Sequence, residues 1–497
     1  MVNNYALKQA ALSLESDLAG EFPIYIYWSQ CQSLMLYSTS LVALLNDNRV
    51  PKPLKVSNEG VSFLLQSGVV PPPKTAYENI YILGVGDKAD ISTLNNKIYI
   101  NFSHHFPFSH SGRTLDSGFK PDDNVILEKL AEAAVSRVDH SKPCFLFHSA
   151  GKDSNTIALA LAEAGWQDQV TLVTHKSKGK ADESEISARI AKRLGFKHKT
   201  LHEVDELTSA HKSDIDNYFL MAPFPSTDNV TLAYPLYLQQ MPELKGANLI
   251  DGGGNDIYMG LPPSIRDCRI MPLSRLTQHA SFVRRCVRSE SLISLLVRTP
   301  AEWCGVSGLS FADTKKLFPA ASSVYPYWSR ESGLRKNLDL LDFKTSLLAP
   351  IVASEMHIRK ARNFSDSIGA NLVLPFANEA VARYFYSASE CYLFDRKKLR
   401  NKVILRDLLK ERLKLDSDVI GKKGWSYDSS SITLKNWNWM RQEIIRCSLW
   451  DFSSLEKIVS RLRCNVELNR GSAGRSMRLL YRIYLLSAWH NNNCYLN

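Results

Sequence analysis

The feature that most restricts the fold is an alternation of apolar, strand-like segments with helix-like segments between residues 141 and 260. The segment CFLFHS precedes a predicted helix at 154–164 that ends at Gly165, and QVTLVTH precedes a predicted helix at 182–194 that ends at Gly195. A third strand-like segment, HKTLHEV, follows directly. Strands that alternate with helices of this length are typical of a doubly wound, mostly parallel sheet. We therefore expect an α/β fold in this region.

The flanking regions have different patterns. Residues 1–115 are rich in strand-like segments separated by proline and glycine, a helix is predicted at 123–138, and the chain from 262 to the end is largely helical. Since 497 residues are too many for one ordinary hydrophobic core, we expect two domains. The first is a β-rich domain at 1–115, and the second is the α/β and helical domain at 120–497.

Composition and charge indicate the cellular compartment and the kinds of binding partner that we expect. The longest apolar run, 292–297, is far shorter than the roughly 18 residues that cross a bilayer, and the first residues lack the pattern of a secretory signal. Nine cysteines without a C-x-x-C pair are typical of reduced cytosolic thiols. We expect a cytoplasmic protein that binds neither membrane nor nucleic acid. The net charge of +11 suggests an anionic partner, but its lysines and arginines are dispersed rather than blocked.

The loop SAGKDS, residues 149–154, lies at a predicted strand-to-helix corner, where ligands bind in parallel sheets. It is not a Walker A loop, because Leu146 and Asp153 stand where that motif needs glycine and serine or threonine. A carboxylate there repels phosphates unless a divalent cation bridges them. The loop therefore predicts a Mg²⁺-dependent phosphate cradle: N–H and hydroxyl donors from Ser149, Gly151 and Ser154, a charge from Lys152 and a metal ligand in Asp153. An ordinary turn with a helix cap is the alternative.

A second corner strengthens the nucleotide interpretation. The segment ANLIDGGGNDIYMG, residues 247–260, is another apolar strand that runs into a glycine-rich turn, and the turn carries Asp256. Three consecutive glycines allow positive φ angles and a close approach of the backbone to a ligand. A plain tight turn remains the alternative for this corner alone. Two such corners, each with one acid, favour a shared nucleotide and metal site.

These segments resemble the asparagine synthetase-like ATP pyrophosphatases. SAGKDS is similar to the family's S-G-G-x-D-S loop, and DGGGNDIYMG stands where the family has S-G-E-G-x-D-E-x-F-G-G. Further similar segments follow in the family's order over about residues 120–490: KADESEISARIAKRLGFKHKTLHEV, SEMHIRKARNFSDSIGANLVLPFANEAVARYF, NKVILRDLL, IGKKGW and RLLYRIYLLSAW.

The resemblance implies an ATP- and Mg²⁺-dependent ligase that adenylates a carboxylate, releases pyrophosphate and then AMP, and forms an amide with an amine. It places the phosphates at Ser149, Gly151, Asp153 and Ser154, the metal at Asp153 and Asp256, and the nucleoside beside Asp251 and Gly252. Lys422, in IGKKGW, would stabilise the developing charge. Its alternative role is that of a solvated lysine beside Lys423.

The first hundred residues resemble a shortened, degenerate form of the family's glutaminase half, an Ntn-type β-rich domain. LAGEFPIYIYWSQCQSLMLYS is similar to part of that half, but Val2 occupies the position of its nucleophilic cysteine. Without that thiol no glutamine is hydrolysed by this route. Free ammonia or the substrate's own amine would then supply the nitrogen.

Several positions depart from the family. Gly253 and Ile257 replace glutamates, Asn371 and Val373 replace glutamate and arginine, and Ile420 replaces arginine. The departures indicate a specialised relative in metabolite or peptide maturation, such as a β-lactam or lasso-peptide macrolactam synthetase. The expected substrate is a small-molecule or peptide carboxylate, with a precursor peptide or partner protein. A catalytically weakened homologue that acts as a binding or scaffold protein is the alternative.

One further pattern is independent of this site. Arg475, Arg478 and Arg482 lie along one helical stripe of NRGSAGRSMRLLYR. A solvated helix face and a clamp for an acidic substrate or peptide carboxylate are both open interpretations.

Overall fold

The computed structural model describes residues 1–5, 11–109, 118–178, 182–420 and 427–496. Its strands are β1 Asn3–Tyr5, β2 Leu12–Glu15, β3 Ile24–Trp28, β4 Met35–Ser38, β5 Ile80–Leu83, β6 Asp87–Leu94, β7 Lys97–His104, β8 Cys144–Phe147, β9 Val170–Lys176, β10 Lys197–His202, β11 Asn248–Ile250, β12 Asn371–Val373, β13 Phe394–Asp395 and β14 Arg400–Asn401.

Helices make up most of the second half of the chain. They are α1 Leu41–Leu45, α2 Asn58–Ser67, α3 Asp123–Val135, α4 Lys152–Glu163, α5 Ser184–Leu194, α6 Ser209–Met221, α7 Ala233–Leu236, α8 Ile265–Thr277, α9 Leu292–Leu296, α10 Pro300–Trp303, α11 Phe311–Leu317, α12 Tyr325–Leu334, α13 Leu340–Leu348, α14 Arg359–Ser367, α15 Glu379–Tyr386, α16 Glu390–Leu393, α17 Val403–Leu413, α18 Ser417–Ile420, α19 Ser429–Lys435, α20 Trp437–Arg446, α21 Phe452–Glu467 and α22 Ala473–Asn492. A π-helix, Ala349–Ile358, joins α13 to α14.

The centre of the α/β region is a five-stranded sheet in the order β10-β9-β8-β11-β12. All of its strand pairs are parallel, with Phe145 of β8 opposite Thr171 of β9 and Leu249 of β11. The strand order reverses direction between β8 and β11, because the chain first builds outward through β9 and β10 and then returns to the other side of β8. Such a switch point leaves a crevice at the carboxyl ends of the two strands.

Both faces of this sheet are buried. Leu146 packs into one hydrophobic cluster with residues of α3 and α4, including Leu130 and Ile157. Its neighbour Phe145 points to the other face and belongs to a cluster with residues of α6 and α7, including Tyr218. Burial on both faces explains why the strand segments are continuously apolar rather than alternating. The expected mixed α/β fold with a parallel sheet and a helical C-terminal part is confirmed.

The helices agree closely with the sequence pattern. The predicted helix at 182–194 is α5, whose C-cap Gly195 has a φ of 84°, and the predicted helix at 123–138 ends earlier, at Val135. The helix expected at 154–164 begins at Lys152 instead. Lys152 and Asp153 therefore belong to the first helical turn rather than to the loop, so Asp153 lies at the positive end of the helix dipole.

The N-terminal part is β-rich, as expected. It contains an antiparallel four-stranded sheet, β1-β4-β3-β5, and a three-stranded sheet, β2-β6-β7. Its core continues into the C-terminal helices, since the ring centroids of Tyr77 and Trp489 lie 5.6 Å apart. The domain boundary expected near residue 115 lies outside the described residues, and the two-domain division stays a prediction.

Candidate functional site

The two predicted corners meet at the switch point of the sheet. The segment from Ser149 to Asp153 follows β8, and the segment from Asp251 to Asp256 follows the adjacent strand β11. A Cβ atom built on Gly252 would lie 3.1 Å from the Cβ of Asp153 and 3.3 Å from the backbone nitrogen of Ser154. A side chain at this position would fit only if its neighbours shifted by a few tenths of an ångström, so the close approach favours glycine at position 252.

The loop before α4 is held by its own hydrogen bonds. The Gly151 N–H donates to Ser149 Oγ at 3.0 Å, and the Ser149 N–H donates to Ser154 Oγ at 3.1 Å. The side-chain amide of Asn155 donates to the Gly151 carbonyl at 2.7 Å. These bonds fix the loop before any ligand arrives, so binding needs little ordering of the backbone.

One N–H group of this loop already holds an anionic group. Ala150 donates its N–H to Oε2 of Glu183 at 2.9 Å, and Glu183 lies directly before α5. Glu183 is buried. The contact ties α5 to the loop, a role that the sequence analysis did not assign to Glu183, although it quoted the segment that contains it.

The carboxylates of Asp153 and Asp256 meet at a single cation, the ammonium group of Lys402. Lys402 Nζ lies 2.7 Å from Oδ2 of Asp153 and 2.8 Å from Oδ1 of Asp256. The other oxygen of Asp153 accepts a hydrogen bond from Asn255 Nδ2 at 2.6 Å. The expected convergence of the two acids is therefore present, and a lysine from the helical part of the chain lies between them.

Lys402 is positioned by an unusual backbone conformation. It precedes α17 with a φ of 58°, in the left-handed region that non-glycine residues seldom adopt. Burial lowers the pKa of its ammonium group, but the charges of Asp153 and Asp256 outweigh burial and raise the pKa above its usual value. Lys402 is thus a fixed positive charge at the floor of the site. The sequence signal for it was the segment NKVILRDLL, to which no residue role was attached.

A cavity of about 240 Å³ opens above these groups. Its apolar walls come from the ends of β8, β9 and β10 and from the segment after α7: Phe147, Val173, Leu201 and Tyr237. Its polar floor includes Ser149, Ser154, Asp251 and the two ion-paired acids. A cavity with apolar walls on one side and hydroxyl, N–H and carboxylate groups on the other suits a ligand with a flat apolar part and a charged part.

Two titratable groups with shifted pKa values, Asp251 and His148, lie at the cavity wall. Burial raises the pKa of Asp251 above its ordinary value, and the N–H of Gly253, 2.8 Å from its carboxylate, offsets part of this effect. Burial lowers the pKa of His148 to about 4. His148 Nε2 lies 2.8 Å from Oδ1 of Asn155, so the neutral ring supports the same asparagine that braces the loop.

Most of the predicted binding residues line this cavity. They are Ser149, Gly151, Asp153, Ser154, Asp251, Gly252 and Asp256. Lys152, in the first turn of α4, is not among the described residues that line it. Lys422 lies outside the described residues, so its predicted role stays a prediction.

The donor set fits a magnesium ion held together with phosphate oxygens. The side chains of Asp153 and Asp256 are 29% and 34% exposed, so part of each carboxylate faces the cavity despite the contact with Lys402. Mg²⁺ is typically held by one or two carboxylates plus substrate phosphates. Within the described ranges, no group of three or more histidine, cysteine or acidic side chains forms a metal site by itself.

No protein-family model and no curated protein sequence matches the chain.

In the part of the chain that the structure describes, no helix has the length and apolar character to cross a membrane. Fold and site together define an α/β protein with a candidate ligand cavity at the switch point of a parallel sheet.

Proposed function

We propose that this protein is an ATP- and Mg²⁺-dependent ligase that activates a carboxylate as its adenylate and joins it to an amine. The observation that carries the proposal is the meeting of Asp153 and Asp256 at the floor of one cavity, beside the N-terminus of α4. Two carboxylates beside a helix N-terminus favour a phosphate ligand that arrives with a divalent cation.

Different groups of the protein would bind different parts of the nucleotide. The loop N–H groups and the hydroxyls of Ser149 and Ser154 would bind phosphate oxygens, aided by the positive end of the α4 dipole. The wall formed by Phe147, Val173 and Leu201 would pack against the base. Lys402 would hold the two carboxylates in position and offset part of their repulsion toward the phosphates.

Asp153 and Asp256 would hold Mg²⁺. When bound, the ion would neutralise charge on the triphosphate. In the proposed reaction, a carboxylate oxygen of the substrate bonds to the α-phosphorus and pyrophosphate leaves. The amine nitrogen then bonds to the acyl carbon, the amine loses a proton, and AMP leaves with the electron pair of the broken bond. Lys422 is the proposed group that stabilises charge during these steps.

The substrate class follows from the resemblance rather than from contacts. A small-molecule or peptide carboxylate, closed onto an amine as in β-lactam or macrolactam formation, is the proposed substrate. A precursor peptide or partner protein would deliver it in the peptide case. The amine is proposed to come from the substrate itself or from free ammonia.

Two observations favour the alternative of a weakened homologue that binds rather than catalyses. The ammonium of Lys402 already lies between the two acids. Gly253, where the family has a glutamate, offers no side chain to take a proton from an amine. A binding or scaffold protein would retain the cavity without the reaction.

Two measurements separate these functions. Calorimetric titration with ATP in the presence and absence of Mg²⁺ tests the nucleotide site, and binding that needs Mg²⁺ supports it. Exchange of labelled pyrophosphate into ATP, with carboxylate and peptide pools, then tests adenylation. Exchange that Asp256→Asn abolishes and Asp168→Asn leaves intact supports the ligase. Magnesium-dependent ATP binding without exchange supports the binding protein, and no ATP binding at all rejects the nucleotide site.

A further inference from the structure

A second, separate groove lies between the segment from Arg284 to Phe311 and α22. Arg284, Arg298 and Arg475 line it together with Glu302, and it shares no described lining residue with the nucleotide cavity. Val297, Val306 and Leu309 supply its apolar walls. The groove therefore combines several guanidinium groups with apolar surface.

Among the described residues that line the groove, Glu302 is the one acid, and its carboxylate already has hydrogen-bond partners. Glu302 receives two hydrogen bonds from Arg284, Nη1 to Oε2 at 2.8 Å and Nη2 to Oε1 at 2.5 Å. Its Oε2 also accepts the N–H of Thr299 at 2.8 Å. A buried carboxylate with these partners neutralises one arginine and has little capacity left for another.

The remaining arginines have no such partner. Among the described residues, no carboxylate lies within 4.0 Å of the guanidinium groups of Arg298 and Arg475. The same holds for Arg482, a neighbouring arginine that does not itself line the groove. Arg475 donates to the carbonyl of Ser291 at 3.4 Å, and Arg482 donates to the carbonyl of Ser307. Both contacts use backbone oxygens, which satisfy a donor without cancelling its charge.

Two observations show how the guanidinium groups of Arg482 and Arg298 are constrained by their surroundings. The Nε atom of Arg482 is buried and has no hydrogen-bond partner among the described residues. The guanidinium of Arg298 lies 5.6 Å from the ring centroid of Trp303, which orients the group without adding negative charge. Burial, together with repulsion between the arginines, lowers the pKa of Arg298, Arg475 and Arg482 to about 10.

We propose that this groove binds the phosphate or carboxylate group of a ligand other than the nucleotide. Planar guanidinium groups match both oxyanions. An oxyanion would place negative charge within contact distance of Arg298 and Arg475, where no carboxylate of the described residues lies. The space in the groove is about 30 Å³, which suits a single anionic group rather than a whole nucleotide. The apolar walls favour a ligand whose anionic group is attached to an apolar part.

The test compares the full-length protein with the double variant Arg298→Gln/Arg475→Gln. Affinity is measured by calorimetry with inorganic phosphate and, separately, with succinate. We expect the unchanged protein to bind at least one of these anions about tenfold more tightly than the double variant. A preference for phosphate assigns the groove to phosphorylated ligands, and a preference for succinate assigns it to carboxylates. Phosphate that binds at the Ser149 loop contributes equally to both proteins.

The matched control is Arg463→Gln, which removes a partly exposed arginine of α21 that pairs with Glu467 and lies outside the groove. It should keep the affinity of the unchanged protein. Thermal unfolding without ligand checks folding, and the double variant should be as stable as the unchanged protein or more stable, because repulsion between arginines is removed. Equal anion affinity in the two proteins, or no binding to either, overturns the proposal. ATP affinity is measured in parallel and should not change, which separates this result from the fate of the ligase proposal.

Discussion

Lys402 and Asp153 are 249 residues apart in the chain, yet Nζ of the lysine lies 2.7 Å from Oδ2 of the aspartate. The contact joins the start of α17 to the first turn of α4. It makes the floor of the candidate site depend on the helical C-terminal part as well as on the parallel sheet. The site therefore forms only when both parts are folded together.

Replacing Lys402 by methionine should destabilise the fold. The side chain is buried, and its loss leaves two carboxylates facing each other without a cation, which costs about 3 kcal/mol in the free energy of unfolding. Thermal and urea unfolding measure the loss. Mg²⁺ should restore more stability to this variant than to the unchanged protein, because a divalent cation can take over the neutralising role.

Lys397→Met is the control, since Lys397 is exposed in the same segment. It should change neither stability nor the response to Mg²⁺. Equal stability of the Lys402 variant and the unchanged protein would show that the two ion pairs contribute nothing to the fold.

Asparagine at Asp153 or Asp256 should weaken binding of ATP with Mg²⁺ by about tenfold or more, because a charged ligand becomes a neutral one. Calorimetric titration measures the affinity. Asp168→Asn changes an exposed acid beyond the other end of α4 and should leave the affinity unchanged. Unaltered affinity in both site variants would remove these residues from the proposed nucleotide site.

Alanine at Gly254 should disturb the second corner. Gly254 has a φ of 118°, and a Cβ there would lie 2.7 Å from the backbone nitrogen of Ala377. Strain and overpacking together cost about 3 kcal/mol, which chemical denaturation would detect. Gly333→Ala, in a helix with open space around it, should be neutral or stabilising. A fully stable Gly254 variant would contradict the close packing of Gly254 against Ala377.

His148 should make the free energy of unfolding depend on pH below about pH 6.5. An unfolded histidine takes up a proton near pH 6.5, whereas burial keeps His148 neutral down to about pH 4. The contribution of His148 to the free energy of unfolding is therefore fully present above pH 6.5 and is lost as the pH falls toward 4. Between about pH 6.5 and about pH 5 the loss is about 2 kcal/mol.

His148→Gln keeps a side-chain donor for Asn155 and should flatten this pH dependence. His279→Gln, an exposed histidine, serves as the control and should retain the slope. Unfolding temperatures across the acid range provide the comparison, and parallel curves for all three proteins would exclude His148 as the source.

Much of the α/β region could be predicted from the sequence. The periodicity of the segments around 144–202 located three strands and two helices, because local apolar patterns are set by which faces must be buried. The small residues of SAGKDS and DGGGND located both corners of the cavity. Their meeting at the switch point follows from parallel strand order, which is a rule of topology rather than of local sequence.

Only the tertiary structure decided what closes the site. Lys402 reaches Asp153 and Asp256 from a distant helix start, and Glu183 reaches the Ala150 N–H from the segment before α5. The same holds for Arg475 of α22: the sequence showed the arginine stripe to which it belongs, but not the groove that it lines. Local sequence determines helices, strands and turn residues. Contacts between charged groups such as Lys402 and Asp153 depend on how elements that are hundreds of residues apart in sequence pack together. A local sequence pattern carries no information about that packing.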